Sequence, residues 1–269
     1  MITMTDIQYE KFRALIFDNC GIQTKRQMVE GKLDGLLRKN NLDSCDEYFQ
    51  LLTTGANKQY WVEFVNEITV HHSSFFRENN HFEFIRSQLR LIFEKNERIL
   101  KNNEVRLWSA GCSTGEEPYT LGMVLREWLP PEIAIRILAT DISHYTVAAA
   151  QSGQYPLTIK KDMDPYFLTQ YFNRNEEFYE VKASVKELIT FRQFNLMDPF
   201  PFQSTFDIIF CRNVMIYFNA EIQQQLVQKF HEVLAPGGLM FIGHSESLLN
   251  KQYSFQYLEP TIYLKQGKL

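Results

Sequence analysis

The sequence predicts an α/β fold: a mostly parallel sheet covered by helices on both faces, with a small all-α part ahead of it. Three observations carry that expectation. From residue 105 onward, strand-like apolar runs alternate with stretches of helical period, the pattern of a parallel sheet with crossover helices. All 9 prolines lie at position 118 or later, and residues 1–100 hold few β-branched runs, so the N-terminal part reads as helical. Hydrophobic residues make up 45% and charged residues 22%, with 22 Phe, which is ample apolar material for a core and excludes a disordered chain. At roughly 150 residues per domain, a chain of 269 residues suits one large domain or a small one plus a larger one.

In chain order, residues 24–41 form an amphipathic helix with Met28, Val29, Leu33, Leu36 and Leu37 on its apolar face. Lys25, Lys32 and Lys39 recur every 7 residues, so at about 100° per residue they fall within about 40° of one another as a basic stripe. On the residues alone the stripe reads as a solvated helix edge whose stems cover the core; a docking surface for an acidic partner is the alternative. Residues 81–101 give another helix, through Phe82, Phe84, Ile85, Leu89, Leu91, Ile92 and Phe93. The period then changes. Residues 105–110 read as a strand, 116–128 as a helix, 134–140 as a strand ending at Asp141, and 143–151 as a helix. Further strands are expected at 188–195, 206–211 and 239–243, with a helix at 219–234 stopped by Pro236-Gly237-Gly238. Residues 255–258 and 261–264 read as a closing strand or hairpin around Pro260. The polar stretch from about 155 to 186 breaks the rhythm; its one strand-like piece is 178–182, and it reads as an insertion.

Composition narrows the function. Lys and Arg number 28 against 32 Asp and Glu, a net charge of -4, which argues against a protein that binds duplex nucleic acid over a broad basic face. Cys20, Cys45, Cys112 and Cys211 are too far apart for a paired metal or redox motif. There is no N-terminal apolar signal segment and no apolar run near the ~20 residues that span a bilayer, so a reduced, soluble, cytoplasmic protein is expected. His71, His72 and His81 match no standard metal spacing.

In open α/β sheets, ligands bind beyond the carboxyl ends of the strands. The loop after the first strand, SAGCSTGEEP at 109–118, has neither the G-x-G-x-x-G of a dinucleotide fold nor the lysine of a phosphate-binding loop. Glu116 and Glu117 follow Gly115 at a helix start, where carboxylates repel phosphate and suit a cationic or amine-bearing ligand such as S-adenosylmethionine (SAM). The same two residues also complement the helix dipole, so the loop alone leaves the ligand open. Asp141, at the end of the second strand, is placed to accept from ribose hydroxyls or to cap the next helix. Asn195 and Arg212-Asn213 end two later strands, so four successive strand ends present polar groups to one crevice.

The longer motifs are SFFRE at 74–78, WSAGCSTGEEPY at 108–119, ATDI at 139–142, FNL at 194–196, FDIIFCRNVMIYF at 206–218 and GHSE at 243–246. Together the chain resembles the CheR-type chemotaxis receptor methyltransferases, which methylate glutamates on bacterial chemoreceptors using SAM. The resemblance implies a Rossmann-like SAM-dependent methyltransferase domain at 76–269, with a β-rich insertion at about 155–187, behind a helical receptor-docking domain at 1–75. It implies SAM contacts at Ser73, Arg77, Gly111, Glu117, Asp141, Asn195, Leu196, Arg212 and Asn213, with Arg77 and Tyr217 near the transferred methyl, and no metal. His71 stands where the family usually has Asn; imidazole can replace an amide as donor or acceptor, and His71 is kept as a cofactor residue. The product would be S-adenosylhomocysteine with a glutamate 5-O-methyl ester, the chemistry of sensory adaptation. The partner implied is the cytoplasmic helical bundle of methyl-accepting chemoreceptors, with Lys25, Lys32 and Lys39 as the docking stripe. The glycine-free turn at 174–178 points away from a C-terminal peptide tether on the insertion.

No general base is needed, because an acceptor carboxylate of pKa about 4.3 is ionised at pH 7. Two rival readings are weighed. A nucleic-acid or small-molecule methyltransferase would typically carry [DN]-P-P-[YF] where this chain has Arg212-Asn213-Val214-Met215. A SAM-binding adaptor would have lost Arg77, Asp141, Asn213 or Tyr217, and all are present. Cys112 reads as a packing residue, and no physical role is read for His244 or Glu246.

Overall fold

In the computed structural model, which describes residues 2–55, 57–161, 163–248 and 255–266, the chain opens with four helices. These are α1 (Asp6–Cys20), α2 (Arg26–Lys39), α3 (Cys45–Thr54) and α4 (Lys58–Ile68). Their limits follow from local chemistry. Thr5 and Gln8 form a reciprocal capping box at the start of α1, and Gly21 ends it with a left-handed φ of 72°. Ser44 caps α3 and Asn57 caps α4 by accepting from backbone N–H groups.

Next come α5 (Asn80–Lys95) and α6 (Glu97–Asn102), where one helix was expected. The break is at Asn96. Its side chain accepts from the Arg98 N–H at 3.2 Å and donates to Asp207 at 2.7 Å, so it caps α6 rather than continuing α5. Leu89, Leu91 and Phe93 of the expected apolar face lie outside the described side chains.

The α/β part follows the expected alternation: β1 (Glu104–Ala110), α7 (Glu116–Trp128), β2 (Ala134–Asp141) and α8 (His144–Ser152). The insertion then carries β3 (Gln154–Pro156), α9 (Pro165–Tyr171), β4 (Phe172–Arg174), β5 (Phe178–Val181) and α10 (Ala183–Lys186). Where one strand was expected there are three, paired antiparallel in the order β3-β5-β4. The two extra strands have 3 residues each, too short to leave a period in the sequence. Asn175 closes the glycine-free turn, its Oδ1 accepting from Glu177 N–H at 2.9 Å and Phe178 N–H at 2.7 Å.

The chain returns to the main sheet through β6 (Ile189–Gln193), β7 (Phe206–Cys211), α11 (Ala220–Val233), β8 (Leu234–Ile242), β9 (Phe255–Glu259) and β10 (Ile262–Lys265). The helix α11 stops three residues before Pro236. Pro236-Gly237-Gly238 lies inside β8, where the pairing with β7 slips between Phe206 and Ile208. The strand order is β6-β2-β1-β7-β8-β10-β9, parallel through β8, with β10 antiparallel to both its neighbours.

One face of the sheet holds Trp108, fully buried among Phe194, Phe200, Phe202, Phe206 and Phe230, with its indole N–H donating to Thr140 Oγ1 at 2.9 Å. Phe12, Ile16, Leu33 and Phe64 of the N-terminal helices belong to the same apolar cluster as Trp108, Ile209 and Met240. The helices are therefore packed onto this face through one continuous core. The opposite face is covered by α5 and α7 through Ile85, Leu121 and Val124. The insertion rests on α7 and α8 through Tyr155, Phe172 and Tyr119.

Candidate functional site

The parallel strands end on one side of the sheet, and the residues that end them wall a cleft of about 1090 Å³, its mouth included. Gly111, Asn195, Leu196, Arg212 and Asn213 line it from the loops after the strands, Asp141 from the end of β2 and Glu117 from the first turn of α7. His71, Ser73 and Arg77 line it from the segment between α4 and α5, and Tyr217 from the turn after β7. Lys25, Lys32 and Lys39 are outside this lining.

The floor begins at Gly111, whose φ of 89° suits glycine. Its N–H and that of Cys112 both donate to Thr140 O at 2.8 Å, and a Cβ here would collide with Val214. Asp141 then ties the loop down. Its Oδ2 accepts from Ser113 N–H at 2.9 Å, and its Oδ1 from Ser143 N–H at 3.0 Å and Thr146 Oγ1 at 3.2 Å. The cap of α8 is Ser143, so Asp141 is left with acceptor capacity facing the cleft.

Arg212 is the centre of the polar floor. Its side chain is 2% exposed, and Nε donates to Glu117 Oε2 at 2.7 Å. Ser109 Oγ donates to the other oxygen of Glu117 at 2.7 Å. A second guanidinium nitrogen donates to Arg77 O at 2.6 Å, and the guanidinium carbon lies 5.5 Å from the ring centre of Phe82 and 5.3 Å from that of Phe210. A buried charge is tolerable only when it is paired in this way. Glu78 completes the set: it accepts from Asn213 Nδ2 at 3.3 Å and His244 N–H at 3.2 Å, with Arg212 3.5 Å away.

That arrangement leaves Arg77 apart from its acidic neighbours Glu78 and Glu83. Glu78 is engaged with Arg212, and Glu83 pairs with Arg86 at 3.7 Å. Arg77 donates instead to His72 O at 2.8 Å. Burial pushes the Tyr217 phenol up from its ordinary value, with Arg77 opposing, so the hydroxyl keeps its proton at neutral pH. His71 Nε2 lies 3.1 Å from Asn66 O, and a carbonyl only accepts, so that nitrogen carries the proton; Thr69 Oγ1 is 2.8 Å away. Asn195 uses both ends of its amide locally, donating to Asn19 O at 2.7 Å and accepting from Met197 N–H at 3.0 Å.

Two features escaped the sequence. The first is Glu246, whose carboxylate accepts from the N–H groups of Asn213 at 3.0 Å and Ile216 at 3.2 Å. Burial raises its pKa against these backbone bonds, and its task is to hold Asn213 at its left-handed φ of 59°. The motif GHSE signalled it without a role. The second is the roof. Cys20 from the end of α1, Ile22 and Gln23 from the turn after it and Met28 from the start of α2 also line the cleft. Gln23 N–H donates to Tyr217 O at 2.9 Å, and a Cβ on Gly21 would lie 2.6 Å from Met197 Sδ. No spacing in the sequence connects that turn with the strand ends.

The lysine stripe is partly neutralised. Lys32 lies 4.0 Å from Glu67 and Lys39 3.3 Å from Glu63, both acids on α4. Cys112 is buried and its thiol is pushed well above the ordinary range by burial, with Asp141 and Glu117 adding, so it offers no thiolate. Glu78, His81 and His244 have ligand atoms within 4.8 Å of one another, but Arg212 donates to His81 Nδ1 at 3.2 Å and puts a positive charge against that group. The donor set of the cleft fits SAM: two carboxylates, Glu117 and Asp141, beside an apolar wall of Ile142, Phe194 and Leu196, and no lysine to hold a phosphate.

Comparison with known proteins finds matches over most of the chain. Residues 71–264 match the family described as CheR methyltransferase, SAM binding domain, and residues 7–69 match CheR methyltransferase, all-alpha domain. A chemotaxis protein methyltransferase of Borreliella burgdorferi is 34% identical, over 98% of this chain and 96% of that one. A chemotaxis protein methyltransferase of Escherichia coli is 32% identical over 97% and 92%, and a probable one of Rhizobium etli is 35% identical over 86% and 89%. Among solved structures, PKMT2 from Rickettsia typhi in complex with AdoHcy aligns with TM-score 0.37 and 17% identity over 57% of this chain and 24% of that one, too distant to argue from.

Proposed function

The chain belongs to the CheR methyltransferase family and is a SAM-dependent methyltransferase of chemotaxis, and from that premise we propose that it esterifies glutamate side chains of chemoreceptors. The products are glutamate 5-O-methyl esters and S-adenosylhomocysteine. The observation that carries the reading is the single cleft: every residue expected to hold the cofactor or stand near the reacting centre lines it. In this reading His71, Ser73, Gly111, Glu117, Asp141, Asn195, Leu196, Arg212 and Asn213 hold SAM, and Arg77 and Tyr217 serve the reaction. Residues 1–75 are the docking part and 76–269 the catalytic part, with Lys25, Lys32 and Lys39 meeting the acidic helical bundle of the receptor. No helix among the described residues is long and apolar enough to cross a membrane.

SAM supplies an electrophilic methyl group on a sulfonium. The acceptor glutamate arrives ionised, with a reference pKa of about 4.3, so no side chain has to remove a proton. The protein's work is alignment and the exclusion of water from an anion approaching a cation. Arg77 makes one side-chain hydrogen bond among the described residues, to His72 O, and its remaining N–H groups are suited to a carboxylate through charge-assisted bonds. Tyr217, protonated, offers a neutral donor beside it. A nucleic-acid amine would need a group that accepts its proton, and none is called for here.

The test uses SAM labelled on its methyl group with this protein and a receptor cytoplasmic fragment. Label on the receptor released as methanol by mild alkali is expected. Alkali-stable label would identify a non-carboxyl acceptor and end the reading.

A further inference from the structure

His81 is fully buried and belongs to none of the motifs that carry the family likeness, yet it touches the centre of the cleft floor. Its Nδ1 is 3.2 Å from a terminal nitrogen of Arg212, and its Nε2 is 2.7 Å from Thr261 Oγ1. The proton positions follow from the partners. A guanidinium has donors and no acceptor, so Nδ1 must be unprotonated and accept. Nε2 therefore carries the hydrogen and donates to Thr261. The Thr261 hydroxyl in turn donates to Pro260 O, at 2.5 Å. Every donor in this chain, from Arg212 to His81 to Thr261 to Pro260, meets an acceptor, and the order runs one way only.

The far end of the chain is a strained residue. Thr261 sits in the turn between β9 and β10 with a φ of 66°. A β-branched residue avoids that region, and an outlier of this kind persists where the surroundings require it. Glycine would hold the turn more easily but would offer no hydroxyl to His81. Thr261 O also accepts from Ile242 N–H at 3.0 Å, so the turn is anchored on β8, next to Gly243 and the GHSE loop. Burial, with Arg212 and His244 beside it, holds the imidazole down at about 3, so it stays neutral wherever the protein is folded near neutral pH.

We propose that His81 is a positioning residue for the cofactor site, holding Arg212, and through it Glu117, in place against the β9–β10 hairpin by way of Thr261. The inference rests on the reading of the cleft as the SAM site. It gives the C-terminal hairpin, which does not line the cleft, a part in cofactor affinity. Arg212 has three other acceptors around it, Glu117, Glu78 and Arg77 O. What His81 adds is a further acceptor, from a buried side chain of α5, on the guanidinium nitrogen that also meets Arg77 O and Glu78.

The experiment uses the full chain and three variants, His81→Leu, Thr261→Val and Thr261→Ser. SAM affinity is read by calorimetry, the steady-state constants by methyl transfer to a receptor fragment, and the His81 tautomer by nitrogen NMR. His81→Leu is expected to weaken SAM binding about tenfold, the loss of one hydrogen bond to a charged group. The loss should show in the KM for SAM, with kcat changed less. Thr261→Val, which keeps the branched shape, is expected to lose about threefold for its neutral hydrogen bond, and Thr261→Ser to recover it. The NMR signal should report hydrogen on Nε2 and none on Nδ1. SAM affinity within about twofold of the parent in both His81→Leu and Thr261→Val, or hydrogen on Nδ1, would overturn the proposal. Absence of SAM binding by the unaltered protein would instead overturn the reading of the cleft, and the tautomer measurement, which needs no SAM, keeps the two failures distinguishable.

Discussion

The floor of the cleft and the outer face of α2 hold charge in opposite ways. On the floor, Arg212 is 2% exposed and Glu117 12%, and the pair is bonded at 2.7 Å with Ser109, Arg77 O and two phenylalanine rings closing around it. On α2, Lys32 and Lys39 are 42% and 60% exposed, and their partners on α4 stand 4.0 and 3.3 Å away. A buried network of this kind is costly to break, because each member left behind is a desolvated charge. An exposed pair is worth little and is screened by salt. In the proposed reading the difference separates two tasks: the floor fixes a small ligand tightly, while the helix face exchanges its internal acids for a partner's at small cost.

The largest effect should come from breaking the floor. Arg212→Met is expected to cost about 3–5 kcal/mol of stability, because Glu117 and Glu78 lose their common cation, and to abolish SAM binding; thermal unfolding and calorimetry check the two parts. Gly111→Val comes next. It forces a branched residue to a φ of 89° and drives its side chain into Val214, so a loss of about 1–3 kcal/mol is expected, with SAM affinity down more than tenfold by titration.

Arg77→Ala should act on chemistry more than on folding. With its one side-chain bond to His72 O, its removal is expected to lower kcat about a hundredfold while the KM for SAM rises less, read in initial-rate kinetics. If KM alone moves, Arg77 serves the cofactor only.

The smallest effect belongs to the α2 face. Burial opposes the charge of Glu63, but bonds from Gln59, Lys39 and Asn40 outweigh it, and its pKa ends below the ordinary 4.5. A carboxyl lowered in the folded state adds stability above its unfolded pKa and loses it as the pH falls through the folded value. Glu63→Gln should therefore cost under about 1 kcal/mol at neutral pH, since Lys39 is exposed. That difference should shrink below about pH 4.5, as urea midpoints at several pH values would show.

Two strand ends were readable from sequence because an apolar run stops at a polar residue, as at Asp141 and Arg212, whereas β6 stops at Gln193, two residues before the expected Asn195. Such a switch marks a strand's mouth whatever packs around it. The capping residues Thr5, Ser44 and Asn57 and the closing glycines Gly21 and Gly55 were equally present in the sequence, but they were not read there as the limits of α1, α3 and α4. Asn96 looked like one more polar position on a helix until Asp207, from a strand far along the chain, took its amide. The roof turn at Gly21, the carboxylate of Glu246 and the buried His81 share that trait. Each is defined by a neighbour distant in sequence, and one chain read alone does not say which distant residues meet. The strands β3 and β4 were missed for a simpler reason, since 3 residues cannot show an alternation.

The division between floor and helix face is tested most directly in one variant measured twice. Lys25, Lys32 and Lys39 are all changed to Gln, which removes the stripe without turning it against Glu63 and Glu67. SAM affinity is then measured by calorimetry, and the KM for a receptor fragment is measured at low and moderate salt. SAM affinity is expected to stay within about twofold of the parent, with the receptor KM raised about tenfold at low salt and the difference narrowing as salt rises. A variant that loses SAM binding, or that methylates the receptor as well as the parent at low salt, would contradict that division.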